Sequence, residues 1–468
     1  MQKKPFKVPH TYVILFSLII LATLASYVVP SGQYELIEKT MLDGNIRKVV
    51  DPSTFRYVEK SSLHLFEILK SIPKGMTEAA SIIFFIFILG GSFQVINATG
   101  AIENGIKNLA LRFRGKEKLM IPAIVFIFSI GGGTIGMAEE AILFVPIGIA
   151  LARSLGYDAI VGMSVVALGA AVGFVSGFMN PFTVGVAQGI AELPIYSGIV
   201  FRLIIWGASF LLVTFYITHY ANKIKKNPEY SYVRELELSE RDNFVDFSDV
   251  QKITGPQKII LLGFLASIGI IIYGVLKYGW FMTEICSVFL GLGIFSGIVG
   301  KLGSDKICSN FIDGVKDIAV GALVVGLARG ILVVLTEGSI LDTIVHALAS
   351  VVSSFPKSIS AAGMFLVQSV LNFIIPSGSG QAATTMPIMT PLADVIGLTR
   401  QTAVLAFHLG DGISNSIIPT SGVLMANLAV AKIDYEKWVR FVAPLMIYWT
   451  LMSCVFMVIA AAVHYGPF

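Results

Sequence analysis

Charged side chains are scarce in this chain of 468 residues. Asp, Glu, Lys and Arg together account for 14% of the residues, whereas soluble domains contain about 25%. Hydrophobic residues account for 55%. The composition therefore excludes an ordinary soluble domain, which would carry nearly twice as much charge at this length.

Cysteines are also few, and they are Cys286, Cys308 and Cys454. Their scattered positions match neither a disulfide framework nor the spacing of metal ligands, so no metal site is expected. No ATPase motif occurs, which argues against direct use of ATP, and no organic cofactor is expected. The first apolar run is too long for a signal peptide and no small-x-small cleavage pattern follows it. We therefore expect an anchored first helix.

The sequence contains several long apolar runs. They approach or exceed the roughly 20 residues that cross a bilayer. The runs lie at residues 11–29, 79–96, 197–220, 258–275, 281–299, 314–335 and 441–463. They predict an all-α polytopic protein of the cell (inner) membrane, with the lipid bilayer as its surroundings.

The basic residues cluster at the ends of these runs. The clusters lie at residues 3–7, 107–118, 223–226, 301–306 and 432–440. Lys and Arg concentrate in cytoplasmic loops, so the clusters place the N-terminus in the cytoplasm and the C-terminus outside. We interpret them as topology signals, and no nucleic-acid partner is expected.

Two stretches of the chain follow the same pattern. One apolar segment breaks on glycines at residues 131–141 and then reaches Pro146-Ile147, and a second breaks at residues 376–382 and reaches Pro387-Ile388 in the same register. Such repetition indicates two equivalent halves. In a membrane protein, Gly/Pro-interrupted segments at corresponding positions of two halves indicate a transport site.

Each interrupted segment is predicted to be a re-entrant helical hairpin, at about residues 119–153 and 360–395. The charge pattern puts both ends of the first hairpin inside, at Lys118 and Arg153, and both ends of the second outside, at Lys357 and Arg400. Irregular backbone at membrane depth is tolerated where it packs in protein or lines a wet cavity. Opposite entry sides make the halves inverted repeats.

The predicted organisation has three parts. Residues 1–222 form the first inverted repeat, residues 223–257 a polar cytoplasmic linker, and residues 258–468 the second repeat. Amphipathic stretches at residues 103–113 and 341–352 are too short to span and are predicted to lie along the membrane surface.

Each hairpin is followed by a span with a break of its own, at residues 176–183 and 414–421. Pro181 and Pro419 occupy matching positions in the two breaks. Proline removes a backbone donor and frees a carbonyl one turn earlier, so oxygen ligands and helix ends become available near the membrane midplane. We expect the four discontinuities to converge on one place.

Neutral polar residues concentrate at these breaks and are candidates for holding an ion or a substrate carboxylate. They are Thr134, Asn180, Thr183, Ser377, Ser379, Gln381, Asn415, Thr420 and Ser421. A monovalent cation could bind at Asn180, Ser414 and Asn415. The alternative is that small residues here only permit close helix packing.

Charged residues at membrane depth are functional candidates. Glu139, Glu140 and Asp411 suit a cationic ligand or a carried proton, although one of the glutamates could instead cap a hairpin helix. His408 could relay protons or be an interior histidine with satisfied nitrogens. Arg329 could bind a substrate carboxylate, extend to the membrane surface, or pair with an acid.

Catalytic motifs are not convincing. Gly131, Gly133 and Gly136 spell G-x-G-x-x-G, but no strand precedes them, so a dinucleotide site is not expected. The sequence around Asp411 resembles an intramembrane aspartyl protease without a convincing second aspartate, and Ser377 and Ser379 have no well-supported histidine partner. We do not expect an enzyme.

Several runs resemble one known family over nearly the whole chain. They are residues 136–140 (GMAEE), 180–183 (NPFT), 326–330 (GLARG), 375–382 (IPSGSGQA) and 418–422 (IPTSG). The chain resembles the YfcC-type family of basic amino-acid antiporters. That family is grouped with arginine/ornithine-type antiporters and anaerobic C4-dicarboxylate carriers in the ion-transporter superfamily.

The resemblance implies a fold with scaffold and transport domains, a homodimer, and an elevator-type motion, with the site at the hairpin tips and unwound helices. One departure matters. The superfamily's sodium-coupled dicarboxylate carriers have Ser-Asn-Thr tips, and neither tip of this chain has that form.

The expected function is secondary active transport of a small organic ion, by antiport or ion-coupled symport. Basic amino acids such as arginine and ornithine are the favoured substrates, with coupling to H⁺ or Na⁺ possible. A C4-dicarboxylate carrier is the alternative, and a membrane receptor or an intramembrane enzyme forms a third class.

Overall fold

The computed structural model describes residues 11–40, 46–60, 63–102, 104–105, 108, 117–194, 196–239, 253–278, 280 and 282–466. Most of these residues are helical, which confirms the predicted all-α fold. The basic residues 3–7, most of the 107–118 cluster and most of the predicted surface helix 103–113 lie outside the described residues.

The first described elements are one long helix and a loop that carries short strands. Helix α1 (Thr11–Val28) leads to two small antiparallel ribbons, β1 (Gly32–Gln33) with β4 (Arg56–Tyr57) and β2 (Leu36–Thr40) with β3 (Ile46–Val50). Helices α2 (Leu65–Glu78) and α3 (Ala80–Ala98) follow, separated at Ala79.

The first interrupted segment forms two helical arms. They are α4 (Glu117–Ile135) and α5 (Val145–Ser154), joined through a 3₁₀ turn at Glu140–Phe144. Both arms pack on α6 (Ala159–Ser176). After the break come a π-helical turn at Pro181–Gly185, α7 (Val186–Ile190) and α8 (Ile199–Lys226).

The segment predicted as a plain polar linker is partly folded. It contains α9 (Arg234–Ser239), whose Glu237 carboxylate accepts hydrogen bonds from Arg153 Nε at 2.9 Å and from the Ala159 amide at 3.0 Å. This contact docks the linker where the first hairpin ends and α6 begins. Helix α10 (Gly255–Tyr278) follows the linker.

The second half repeats the same succession of elements. Its helices are α11 (Met282–Val299), α12 (Ser304–Glu337), α13 (Leu341–Ser353), α14 (Lys357–Ile374), α15 (Gly378–Ile396), α16 (Arg400–Ser414), α17 (Gly422–Ala431) and α18 (Tyr435–Ala462). The arms α14 and α15 pack on α16, as α4 and α5 pack on α6. Each short helix packs on a hairpin arm of the other half, since α7 packs on α15 and α17 packs on α5.

Helix α10 has no counterpart among the described residues of the first half. Helix α1 packs on α12, and α11 packs on α3, so α11 is the equivalent of α1. We propose that α10 crosses the membrane once. One extra crossing between two equivalent sets would reverse the orientation of the second set and produce the inversion that the charge pattern predicts.

Five described helices are long and apolar enough to cross a membrane. They are Ala80–Ala98, Ala159–Ser176, Ile199–Lys226, Lys357–Ile374 and Tyr435–Ala462. The chain is therefore a multi-pass membrane protein. Helix α6 is buried along most of its length, whereas α8 is mostly exposed, so α6 lies inside the bundle and α8 faces the bilayer.

Helices α2, α3, α11 and α12 form a group of their own, held by close crossings. A Cβ atom added to Gly75 would lie 2.5 Å from the carbonyl oxygen of Gly326 and 2.5 Å from the amide nitrogen of Gly330. Because the two glycines of α12 are one turn apart, α2 can touch its backbone directly. Helix α12 also packs on α17, which joins this group to the hairpins.

Candidate substrate cavity

A cavity of about 390 Å³ lies where the two hairpin tips and the break between α16 and α17 meet. Thr183, from the break after α6, also lines it. The opposite wall comes from the α2–α3 junction and α12, which contribute Glu78 and Arg329. Ligand sites in proteins are typically about 300–1,000 Å³, so this volume suits one small organic molecule.

Most of the residues predicted for the site line this cavity. They are Glu139, Glu140, Thr183, Arg329, Ser377, Ser379, Asn415, Thr420 and Ser421. Four others lie behind its wall, namely Thr134, Asn180, Gln381 and Asp411. Residues from both halves of the chain therefore meet at one place.

Three of the residues behind the wall bond to neighbouring protein groups. The Thr134 hydroxyl donates to the Ile130 carbonyl at 2.7 Å, within α4. Gln381 Nε2 donates to the Gln368 carbonyl at 2.8 Å, between the arms of the second hairpin. Asn180 Oδ1 accepts from the Thr183 amide at 3.3 Å. These contacts indicate that the three residues hold the breaks in shape.

The first hairpin tip depends on a glycine. Gly136 has φ +66°, in the left-handed region, and a Cβ there would lie 2.7 Å from Asn180 Oδ1. A side chain would be strained in this conformation and would collide with Asn180. The glycine therefore lets the tip press against the break that follows α6.

The two glutamates of the first tip have different surroundings. Glu140 Oε2 accepts a hydrogen bond from the Ala138 amide at 3.1 Å, so this carboxylate closes the tip on itself. The Glu139 side chain, just before the 3₁₀ turn, makes no capping hydrogen bond to it. Of the two, Glu140 matches the structural alternative, and both glutamates line the cavity.

The second hairpin tip covers Asp411. Ser377 caps α15 by accepting from the Gly380 amide at 3.4 Å. A Cβ at Gly378 would lie 2.5 Å from Thr183 Cγ2 and 3.1 Å from Asp411 Oδ2, so only glycine allows this approach. The Asp411 carboxylate is thus separated from the cavity by the thickness of the tip.

Asp411 is fully buried, and its two oxygens differ. Oδ1 accepts from Asn415 Nδ2 at 3.0 Å, while Oδ2 has no hydrogen-bond partner among the described residues. A buried carboxylate oxygen without a donor is costly unless it binds a proton or a cation. This oxygen is therefore a candidate for the coupling ion.

The three residues proposed for a monovalent cation are already bonded to protein groups. The Ser414 hydroxyl donates to the Gly410 carbonyl at 2.5 Å and accepts from Asn372 Nδ2 at 2.8 Å. Asn415 turns its amide nitrogen toward Asp411, and Asn180 Oδ1 accepts from the Thr183 amide.

His408 is an interior histidine that joins two breaks. Its Nδ1 lies 3.0 Å from the Val175 carbonyl, so Nδ1 carries the hydrogen. Its Nε2 therefore accepts from the Thr183 hydroxyl at 2.9 Å. Of the two interpretations of His408, the arrangement matches the interior residue with both nitrogens satisfied.

Arg329 pairs with Glu78, a residue that sequence reasoning missed. Arg329 Nε lies 2.9 Å from Glu78 Oε2, and both side chains are partly exposed to the cavity. Glu78 ends α2 and lies just outside the apolar run predicted at residues 79–96. The signal available was a carboxylate at the edge of a membrane helix.

The sequence analysis also missed two buried residues that bond to the broken helices. Arg202 is fully buried and its Nη1 donates to the Ser176 carbonyl at 3.3 Å. Trp438 is also fully buried, and its Nε1 donates to the Ser416 carbonyl at 2.9 Å. They are the fourth residues of α8 and α18. Each half thus uses the same helix position to satisfy a carbonyl freed by its broken helix.

Comparisons with known proteins show a family of membrane transporters. A family model described as "C4-dicarboxylate anaerobic carrier" (DcuC) matches residues 8–462. The chain is 37% identical over 501 residues to "Putative basic amino acid antiporter YfcC" of Escherichia coli (strain K12), covering 99% of each chain. It is 31% identical over 505 residues to an uncharacterized protein of Haemophilus influenzae, again covering 99% of each. Among solved structures, the YdaH transporter of Alcanivorax borkumensis is similar with a TM-score of 0.42 and 14% identity, covering 98% of this chain and 100% of that one.

Proposed function

This chain belongs to the DcuC family of C4-dicarboxylate carriers and is a membrane transporter, and we propose that it exchanges basic amino acids across the cell membrane. A relative with the words "basic amino acid antiporter" in its description covers the same length. The arginine and ornithine class therefore supplies the first candidates.

The charge of the cavity is the observation that carries this proposal. Three acidic residues line it, Glu78, Glu139 and Glu140, and one basic residue, Arg329. Such a cavity attracts ligands with net positive charge and repels dianions. A basic amino acid carries one more positive than negative group at neutral pH, so it matches the excess of acid.

The two ends of such a ligand have complementary groups. Arg329 and the N-terminus of α17, which begins after Ser421, can hold the α-carboxylate. Glu139 can face the cationic side chain from the first hairpin tip. Asp411 Oδ2, behind the second tip, is the place where we propose that a proton or Na⁺ binds if exchange is ion-coupled.

Counterflow in proteoliposomes tests the proposal. Vesicles loaded with unlabelled arginine, ornithine or lysine should take up labelled external arginine without an imposed ion gradient. Glu139→Gln should lower the exchange rate at least tenfold, since a charge-assisted contact is worth about 1.5–3 kcal/mol. The absence of flux with every basic amino acid would overturn the proposal.

A C4-dicarboxylate is the second candidate, because the matching family model carries that description. Arg329 could then neutralise one carboxylate, and protons on the acidic residues would offset the other. Succinate exchange in the same vesicles, with basic amino acids inactive and Arg329→Gln abolishing the flux, would favour this function.

A further inference from the structure

We propose that Glu78, Arg329 and Asn427 form a head-group subsite that recognises the α-ammonium and α-carboxylate of an amino acid. This inference rests on the proposed function and extends it. It assigns a role to two residues, Glu78 and Asn427, on the wall opposite the hairpin tips. It also limits the substrate class to α-amino acids and excludes simple diamines.

The first observation is the ion pair on that wall. Arg329 Nε and Glu78 Oε2 lie 2.9 Å apart, with side chains 33% and 45% exposed. A guanidinium has five N–H donors and a carboxylate has two acceptor oxygens, so one shared bond leaves both groups able to bind a ligand. Their adjacent positive and negative charges complement the carboxylate and ammonium of an α-amino acid.

The second observation is an acceptor without a donor. Asn427 lines the cavity and is 3% exposed. Its Nδ2 donates to the Val423 carbonyl at 2.9 Å, which fixes the amide and turns Oδ1 away from that carbonyl. Among the described residues, nothing donates to Oδ1. A buried amide oxygen of this kind needs an N–H donor, which an ammonium group supplies and a carboxylate does not.

The helices that carry these groups pack against one another. Ala426 belongs to the same buried cluster as Ala79 and Val325, which places Asn427 beside the wall that carries Glu78. The crossing at Gly75 sets the distance between α2 and α12, and Glu78 lies three residues beyond Gly75 on α2. The subsite is thus built on helices and not on loops, so its geometry can be stable enough to select a ligand.

The geometry assigns one contact to the α-carboxylate of the ligand and two to its α-ammonium. Arg329 binds the α-carboxylate, while Glu78 and Asn427 Oδ1 accept hydrogen bonds from the α-ammonium. The side chain of the amino acid then points to Glu139. A ligand that lacks the carboxylate loses the contact with Arg329, and one that lacks the α-amino group loses those with Glu78 and Asn427.

Ligand truncation combined with mutation tests this assignment. Inhibition of labelled arginine counterflow is measured with arginine, with agmatine, which lacks the carboxylate, and with 5-guanidinopentanoate, which lacks the α-amino group. The native protein should bind arginine at least tenfold more tightly than either truncated ligand. Glu78→Gln and Asn427→Leu should each reduce the preference over 5-guanidinopentanoate, and Arg329→Gln should reduce the preference over agmatine.

Two matched controls separate recognition from general damage. Glu337→Gln removes a carboxylate of similar exposure that pairs with Lys74 on the same helix group. Asn310→Leu removes an asparagine that makes the same bond to a carbonyl one turn back, with Lys306, at an exposed position. Both controls should keep the native preferences.

The outcomes separate this inference from the proposed function. No arginine exchange at all would overturn the proposed function. Arginine exchange with equal affinity for all three ligands would overturn the subsite alone. Equal losses for all ligands in Glu78→Gln and Asn427→Leu would also overturn it. If one variant does not fold, the native ligand series and the other variant still decide.

Discussion

Two neighbouring glutamates, Glu139 and Glu140, show how one residue step changes a role. The Glu140 carboxylate bonds back to the Ala138 amide, while Glu139 makes no bond to the turn that it precedes. A carboxylate that already accepts a backbone hydrogen bond maintains the local conformation. Glu139 lines the cavity, and we propose that its carboxylate is the one that meets the ligand.

We expect Glu139→Gln and Glu140→Gln to differ. Glu139→Gln should slow arginine exchange at least tenfold with little effect on thermal stability, because it removes the carboxylate that we propose faces the cationic side chain of the ligand. Glu140→Gln should lower stability by about 1 kcal/mol, since a neutral acceptor replaces a charge-assisted one. Counterflow and thermal unfolding in detergent measure the two effects. Equal effects on both quantities would contradict this division.

The Thr183–His408 bond gives a second prediction at this scale. Thr183→Val preserves shape but leaves His408 Nε2 buried without a donor, and should cost about 1–3 kcal/mol of stability. Thr23→Val is the control, because the buried Thr23 hydroxyl only donates to the Ile19 carbonyl of its own helix. Denaturant unfolding of both variants checks the difference. A loss as large in Thr23→Val would argue against a special role for the Thr183 hydroxyl.

At the scale of elements, the crossing of α2 and α12 positions the proposed head-group subsite. Gly75→Ala places a Cβ 2.5 Å from backbone atoms that cannot rotate away. We expect a loss of about 1–3 kcal/mol together with weaker arginine binding, because Glu78 and Arg329 move apart. Gly269→Ala in α10, where a Cβ meets nothing within 4 Å, should be neutral or stabilising. Native arginine affinity in Gly75→Ala would show that the crossing does not set the subsite.

The docking of α9 is a second element-scale contact. Arg153 and Glu237 are 13% and 8% exposed and form a bidentate pair. Glu237→Ala should cost about 3–5 kcal/mol, because it removes the carboxylate that forms a bidentate pair with a largely buried guanidinium. Asp313→Ala breaks a pair that is 70% and 60% exposed and should cost less than about 1 kcal/mol. Unfolding curves that give the same loss of stability for both variants would show that α9 does not stabilise the hairpin.

At the scale of the whole molecule, helix α10, which has no equivalent among the described residues of the first half, and the charge pattern predict which side of the membrane each loop faces. Cys308 is the exposed native cysteine, near the start of α12, whereas Cys286 is buried and Cys454 half-buried. A membrane-impermeant maleimide should label Cys308 in inside-out vesicles and not in right-side-out vesicles. Cys308→Ser should abolish the labelling. Labelling from outside would reverse the proposed topology.

Local properties of the sequence were sufficient for much of the architecture. Apolar runs determine which segments can enter the bilayer, and the repeated Gly/Pro breaks determine where those segments are interrupted, because hydropathy and backbone freedom belong to neighbouring residues. The all-α membrane fold is confirmed on that basis. The contribution of both hairpin tips to one cavity also agrees with the repeat pattern.

Tertiary structure decided which of the candidate groups meet. Glu78 and Arg329 are joined by the crossing of α2 and α12, Asp411 lies behind the second tip and not in the cavity, and Asn427 is a lining residue whose Oδ1 has no donor among the described residues. These relations depend on distances between residues that are far apart in the chain. No periodicity or motif encodes them, because they arise only when helices from the two halves pack against each other.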